Sequence, residues 1–218
     1  MEKENRVYKI RRLFRQDMDL IQTYCHSYDF LYFNPFTEDY IWQVLLQGAF
    51  WAVYENEKPV AVTYILPLDS PAFTSLDASW HFADLLACSA ENTLLCGYVW
   101  ADDTCTDTDF YSPLTRLWSM QAARRGRSLL VHYMPAHVDF CIGRLFQNGF
   151  ELKGLRGLDN LVPHYIFSKP RFFKNRKTEP CQETVACPCT DTKQISALCE
   201  KGYAGFDMDV EKNILFRR

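Results

Sequence analysis

The sequence has no long apolar run. No stretch reaches the roughly 20 consecutive apolar residues that a membrane-spanning helix requires, so no membrane partner is expected. An excess of one charge is missing too. Lys and Arg number 24 against 27 Asp and Glu, a net charge of −3, so no global field draws the chain to nucleic acid, and a nucleic-acid partner is not expected. The opening residues, MEKENRVYKIRR, are charged where a secretory leader would be apolar. Metal-site spacings are also lacking. Cys181, Cys187, Cys189 and Cys199 fit no standard zinc pattern, and the acidic stretch ADDTCTDTD lacks the Gly and terminal Glu of a calcium loop, so no metal is expected.

What is present is core-forming material. Hydrophobic residues make up 48% of 218, with 16 Phe, 12 Tyr and 5 Trp, enough for one domain with a sizeable core and an appendage. The nine cysteines are an odd number, and five of them stand singly. That is the usage of small buried hydrophobes in a reducing compartment, which points to the cytoplasm.

The most informative stretch is Arg127–Leu155. Leu129–Tyr133 reads as a buried strand. Val138, Cys141, Ile142, Leu145 and Phe146 then fall at i, i+3, i+4, i+7 and i+8, one apolar stripe of a helix. Asn148 and Gly149 tolerate the left-handed conformation that ends a helix, and a strand restarts at Phe150. Upstream, Arg6–Leu13 reads as a strand, and Asp17 and Thr37 as caps of two helices. Phe50–Tyr54 and Val60–Leu66 read as a hairpin, and Leu76–Ala87 as an inserted helix. Leu94–Trp100 is a strand with Gly97 inside it, the mark of a bulge or a close backbone approach. Ser112 and Pro113 predict the start of a helix lined by Leu114, Leu117, Trp118 and Ala122. Val162–Ser168 reads as the closing strand.

That order, with the strand–helix–Asn-Gly-Phe–strand unit, resembles the GNAT N-acetyltransferases over roughly residues 6–168. The resemblance implies an α+β fold: a mixed, mostly antiparallel sheet of about six to seven strands flanked by helices. Residues 1–168 would form the acyltransferase domain. Residues 169–218 would be a C-terminal extension of basic, Cys-rich linker, short helix and hairpin. It further implies transfer of an acyl group from acetyl-CoA, or a related acyl-CoA, to an amine of a small molecule or peptide. A homodimer is compatible with it.

Site residues follow from the same resemblance. Tyr98, Val99, Trp100 and Ala101 would offer backbone groups to the pantetheine arm. The pyrophosphate would rest at a helix start comprising Asp109, Phe110, Tyr111 and Ser112, with His137 nearby. Tyr98, His132 and Tyr133 are the candidate catalytic groups, and strand alternation lets only one of the last two face the site. Tyr28, Phe30, Tyr32 and Phe33 would wall the acceptor pocket. The chain departs from the family loop pattern Gln/Arg-x-x-Gly-x-Gly/Ala, placing Thr106, Asp109 and Tyr111 at the three signature positions. Where many members carry a general-acid Tyr, Leu145 stands on the apolar stripe. The alternative reading is therefore a GNAT-fold binding or regulatory module that no longer uses acetyl-CoA.

Overall fold

The structure is a computed structural model that describes residues 7–26, 38–47, 49–73, 82–101, 109–136, 141–157, 163–171 and 183–218. Its first half is built around a hairpin. Strand β1 (Tyr8–Arg12) leads through a short 3-10 turn to helix α1 (Met18–His26), followed by α2 (Glu38–Leu46). Strands β2 (Phe50–Glu55) and β3 (Lys58–Pro67) are joined by Asn56 and Glu57, both at positive φ. A two-residue loop of that hand matches the right-handed twist of the strands. Helix α3 (Phe82–Leu86) and strand β4 (Thr93–Ala101) complete this half.

The second half alternates helix and strand: α4 (Tyr111–Arg124), β5 (Leu129–Pro135), α5 (Ile142–Gln147), β6 (Glu151–Arg156) and β7 (His164–Pro170). Both helices stop on glycine in the left-handed region, Gly126 at φ +68° and Gly149 at φ +80°. The Arg127 N–H reaches back to the Ala122 carbonyl at 2.9 Å, and the Phe150 N–H to Leu145 at 3.0 Å. These bonds satisfy carbonyls that a helix end otherwise leaves open. The Asn148-Gly149 stop thus falls where the sequence predicts it. The start of α4 does not. The helix begins at Tyr111, so Ser112 and Pro113 lie inside its first turn rather than at cap and first position. Proline is tolerated there because the first-turn N–H groups have no partner inside the helix.

The sheet has ten strands, not six to seven, in the order β1-β2-β3-β4-β5-β7-β6-β9-β10-β8. The additional strands come from the C-terminal extension: β8 (Thr184–Pro188), helix α6 (Thr192–Glu200), β9 (Ala204–Met208) and β10 (Asn213–Arg217). Residues 184–188 fall in a Pro/Thr/Cys-rich stretch that reads as linker, yet they form an edge strand paired with β10. Edge position explains the error, since Pro188 withholds no hydrogen bond that an outer strand must make. The expected short helix and closing hairpin are present. Asp191 caps α6 by accepting from the Gln194 N–H at 3.0 Å, and β9 pairs antiparallel with β10.

Two apolar layers cover the sheet. One face carries α4, α5 and α6 over a cluster including Trp118, Leu145, Phe150, Phe167 and Phe216. Leu145 is fully buried there. The other face carries α1 and α2 over Phe50, Tyr64, Leu95 and Tyr133. Among the described residues, no helix is long and apolar enough to cross a membrane.

Candidate active site

Among the described residues every strand pair is antiparallel except β4 with β5, and that pair is short. It runs only from Thr93↔Leu129 to Cys96↔His132. Beyond Cys96, β4 stays with β3 while β5 stays with β7, so the two strands part. The cause lies in β4. Thr63 pairs with Val99 and Ile65 with Cys96, so one β3 residue, Tyr64, opposes two on β4, Gly97 and Tyr98. This is a bulge, which adds a residue, bends the strand and re-aims side chains.

The re-aiming is visible in the faces. Leu95 packs on the α1/α2 side and Cys96 on the α4 side, and Tyr98 then returns to the α1/α2 side with Trp100. Simple alternation would have turned Tyr98 the other way. Gly97 permits this because the Tyr64 ring lies against it. A Cβ added at Gly97 would sit 2.1 Å from that ring.

Four strands therefore bring polar aromatic side chains together where β4 and β5 separate. Tyr98 lies edge-on to Tyr133, with ring centroids 4.6 Å apart. Its hydroxyl is hydrogen-bonded to His164 Nε2, and its ring is edge-on to that imidazole at 5.6 Å. The Tyr133 hydroxyl shares a 2.5 Å hydrogen bond with the Tyr64 hydroxyl. Burial, reinforced by neighbouring tyrosines, raises the Tyr64 and Tyr133 phenols well above their ordinary value of 10. Both hold their protons at neutral pH.

Of the sequence-derived catalytic candidates, Tyr98 and Tyr133 come together here and His132 does not. His132 points to the α4 face, fully buried, with its ring 5.0 Å from Trp118. Its Nδ1 is 2.8 Å from the Cys96 carbonyl oxygen, and desolvation lowers its pKa to about 4. His164 and Tyr64 were missed by sequence reasoning. His164 opens β7 beside Pro135, and its strand-start position in the sequence carries no mark of a partner 66 residues away on β4. Past Cys96 the β4 backbone, through Ala101, pairs with β3 and has no rung to β5. Val99 and Ala101 turn their side chains toward the α4 layer.

At the start of α4, Asp109 forms an ion pair with Arg144 of α5. Phe110 and Tyr111 are buried and stacked at 5.0 Å, and the Ser112 N–H donates to the Asp109 carbonyl at 3.2 Å. A pyrophosphate placed here would meet the Asp109 carboxylate and the Arg144 guanidinium together. The candidates His137, Tyr28, Phe30, Tyr32 and Phe33 lie outside the described residues. Among the described residues, no cluster of His, Cys, Asp or Glu is placed to hold a metal.

A mixed sheet whose fourth and fifth strands part at a bulge, between an α1/α2 layer and an α4/α5 layer, is the fold of the GNAT acyltransferases. Solved structures agree. The chain is similar to Ard1 from Thermoplasma volcanium at 10% identity and a TM-score of 0.55, over 75% of this chain and 97% of that one. It is similar to Arabidopsis thaliana Naa50 in complex with the bisubstrate analogue CoA-Ac-MVNAL, at 9% identity and a TM-score of 0.53, over 74% and 97%. The ribosomal-protein-S18-alanine N-acetyltransferase from Escherichia coli matches at 13% identity and a TM-score of 0.51, over 79% and 99%. No protein-family profile and no curated protein matches the sequence. Likeness at such identities speaks for the fold alone.

Proposed function

We propose that this protein is an N-acyltransferase that moves an acyl group from acetyl-CoA, or a related acyl thioester, to the amine of a small molecule or peptide. The observation that carries this reading is the Tyr98–His164 pair beside Tyr133, set where β4 and β5 part. The parted strands offer backbone hydrogen-bonding groups to an extended pantetheine arm, and the hydroxyl and imidazole groups lie at the same place. Naa50, one of the similar structures, binds an analogue that joins CoA to a peptide, which supports a thioester donor and an amine acceptor.

The chemistry assigned to these residues balances simply. The acceptor nitrogen attacks the thioester carbonyl carbon, forming the C–N bond, and collapse of the adduct breaks the C–S bond. The proton lost by the amine passes to the Tyr98–His164 pair, with the imidazole as its holder. The departing thiolate takes a proton from the Tyr133 hydroxyl, which burial keeps protonated at rest, and the proton held by the imidazole then returns to Tyr133, so both groups end as they began. Tyr64, bonded to Tyr133, holds that hydroxyl in place. A cytoplasmic setting accords with the seven cysteines among the described residues that stand as reduced thiols.

Thiol release from acetyl-CoA over a panel of amines tests the proposal. Tyr133→Phe, Tyr98→Phe and His164→Gln should each lower kcat about 100-fold, the lower end of the range for general acid–base groups. Full activity in all three variants would remove these residues from the mechanism. A second reading, a binding module that has lost transfer chemistry, is favoured by the Asp109–Arg144 pair at the helix start. Binding of a thioester without any thiol release would support it.

A further inference from the structure

His164 has a charged neighbour that the acyl-transfer chemistry leaves unused. It lies directly opposite Arg156, the last pair of the β6–β7 ladder. Residues opposed in this way hold their Cβ atoms about 5 Å apart on one face of the sheet. Here that face is the cleft face. Along β7, Tyr165 and Phe167 point to the α4 layer and Ile166 to the α1/α2 layer. Alternation sends His164 with Ile166, in accord with its contacts to Tyr98 and Tyr133. Along β6, Leu155 joins the α4 layer, while Gly154 lies against Leu85, a residue packed on the α1/α2 layer. Arg156 follows Gly154 by two positions and shares its face.

The Arg156 guanidinium is part-buried and carries no countercharge. Its Nη1 donates to the Leu155 carbonyl at 3.1 Å, and among the described residues no carboxylate pairs with it. Its remaining donors are not among the buried unpartnered atoms, so they reach solvent. Lys153 on the same strand and Arg217 on β10, by contrast, both bind Glu151. The space beside Arg156 is bounded by α3. Leu85 sits so close to Gly154 that a Cβ there would lie 2.8 Å from its Cδ1. Helix α3 therefore covers the cleft face of β6 as far as Gly154, and Arg156 is the next side chain on that face.

We propose that Arg156 binds the carboxylate of the acceptor, a small amino acid-like molecule with its amine and carboxylate a few bonds apart. This rests on the acyl-transfer reading above and narrows its acceptor. The guanidinium offers a fork of two parallel N–H donors that matches a carboxylate. With the carboxylate held there, the amine is turned across the ladder toward the Tyr98–His164 pair. A longer acceptor extending along β6 toward Gly154 would meet Leu85.

Thiol release from acetyl-CoA, measured with the twenty standard amino acids and the α-carboxamide of each, tests this. The best acid is expected to exceed its own carboxamide at least tenfold in kcat/KM, about the scale of one charge-assisted hydrogen bond. Arg156→Gln should bring that ratio to within threefold of one. Arg156→Lys, which keeps the charge without the fork, should give an intermediate ratio. Equal turnover of acids and carboxamides would overturn the inference and leave acyl transfer standing. So would a ratio that Arg156→Gln leaves unchanged, or a tripeptide amide that outperforms every acid. Release with none of the acids, carboxamides, peptides or simple alkylamines would sink the acyl-transfer reading itself, and this inference with it.

Discussion

Gly97 and His132 show how single residues set the stability of the fold around the site. Adding one methyl at Gly97 places a carbon 2.1 Å from the Tyr64 ring, and that ring is fully buried and cannot swing away. Gly97→Ala should therefore cost roughly 2 kcal/mol or more, the scale of overpacking in a tight core. A double-mutant cycle with Tyr64→Ala should recover much of that loss, measured by urea unfolding. His132 gives a pH signature. Held at about 4 against an ordinary 6.5, it is neutral in the fold. Below pH 6.5 the unfolded chain takes up a proton that the folded one refuses. Its contribution is thus intact above pH 6.5 and lost as pH falls toward 4, on the order of 3 kcal/mol in all. In His132→Phe, stability should fall less over that window, and parallel curves for the two proteins would refute the assignment. At this scale the sequence was partly readable. Gly97 is conspicuous as a glycine in an apolar strand, and alternation correctly separated His132 from Tyr133. His164 was not readable, because its role depends on strand order in the sheet rather than on its neighbours in the chain.

At the level of elements, local chemistry wrote the ends of α4 and α5 plainly. Glycine supplies the positive φ, and a following residue returns a hydrogen bond to the helix. The edge strand β8 had no such mark. Its side chains are mostly exposed, so no alternation is forced upon it, and it exists because β10 pairs with it. The junction of the extension with the rest is narrower still. Strand β9 meets β6 at Leu152↔Gly205. A Cβ at Gly205 would lie 2.8 Å from Ile214 and 3.0 Å from Leu152. Gly205→Val should loosen β9 from β6 at a cost of about 1–3 kcal/mol. Limited proteolysis should then cut first within residues 183–218, and an unchanged digestion pattern would count against a tight junction.

For the molecule as a whole, the question is whether residues 183–218 behave as an appendage. Cys187, Cys189, Ile195, Leu198, Ile214 and Phe216 share one apolar cluster with Tyr165, Phe167 and Leu152. The Tyr165 hydroxyl donates to the Cys189 carbonyl across that boundary. Surface shared so fully cannot be exposed on one side without exposing the other. Far-UV and near-UV circular dichroism should therefore report one coincident unfolding transition, with no separate step for the extension. Two resolved transitions would show that the extension stands alone.

Among the described residues, the only parallel contact in the sheet, from Thr93↔Leu129 to Cys96↔His132, is also where its two halves are stitched together. Five strands run beyond it on one side through β7 and three on the other through β3, while the stitching itself is four residue pairs long. Such a seam works like the spine of a book. A long thin guest taken up beyond the seam would leave the rungs of each half-sheet intact, since β4 is held by β3 and β5 by β7. Exchange of the amide protons along this spine with deuterium should accordingly slow when the right guest is in place, and slow most at the last stitch before the pages part.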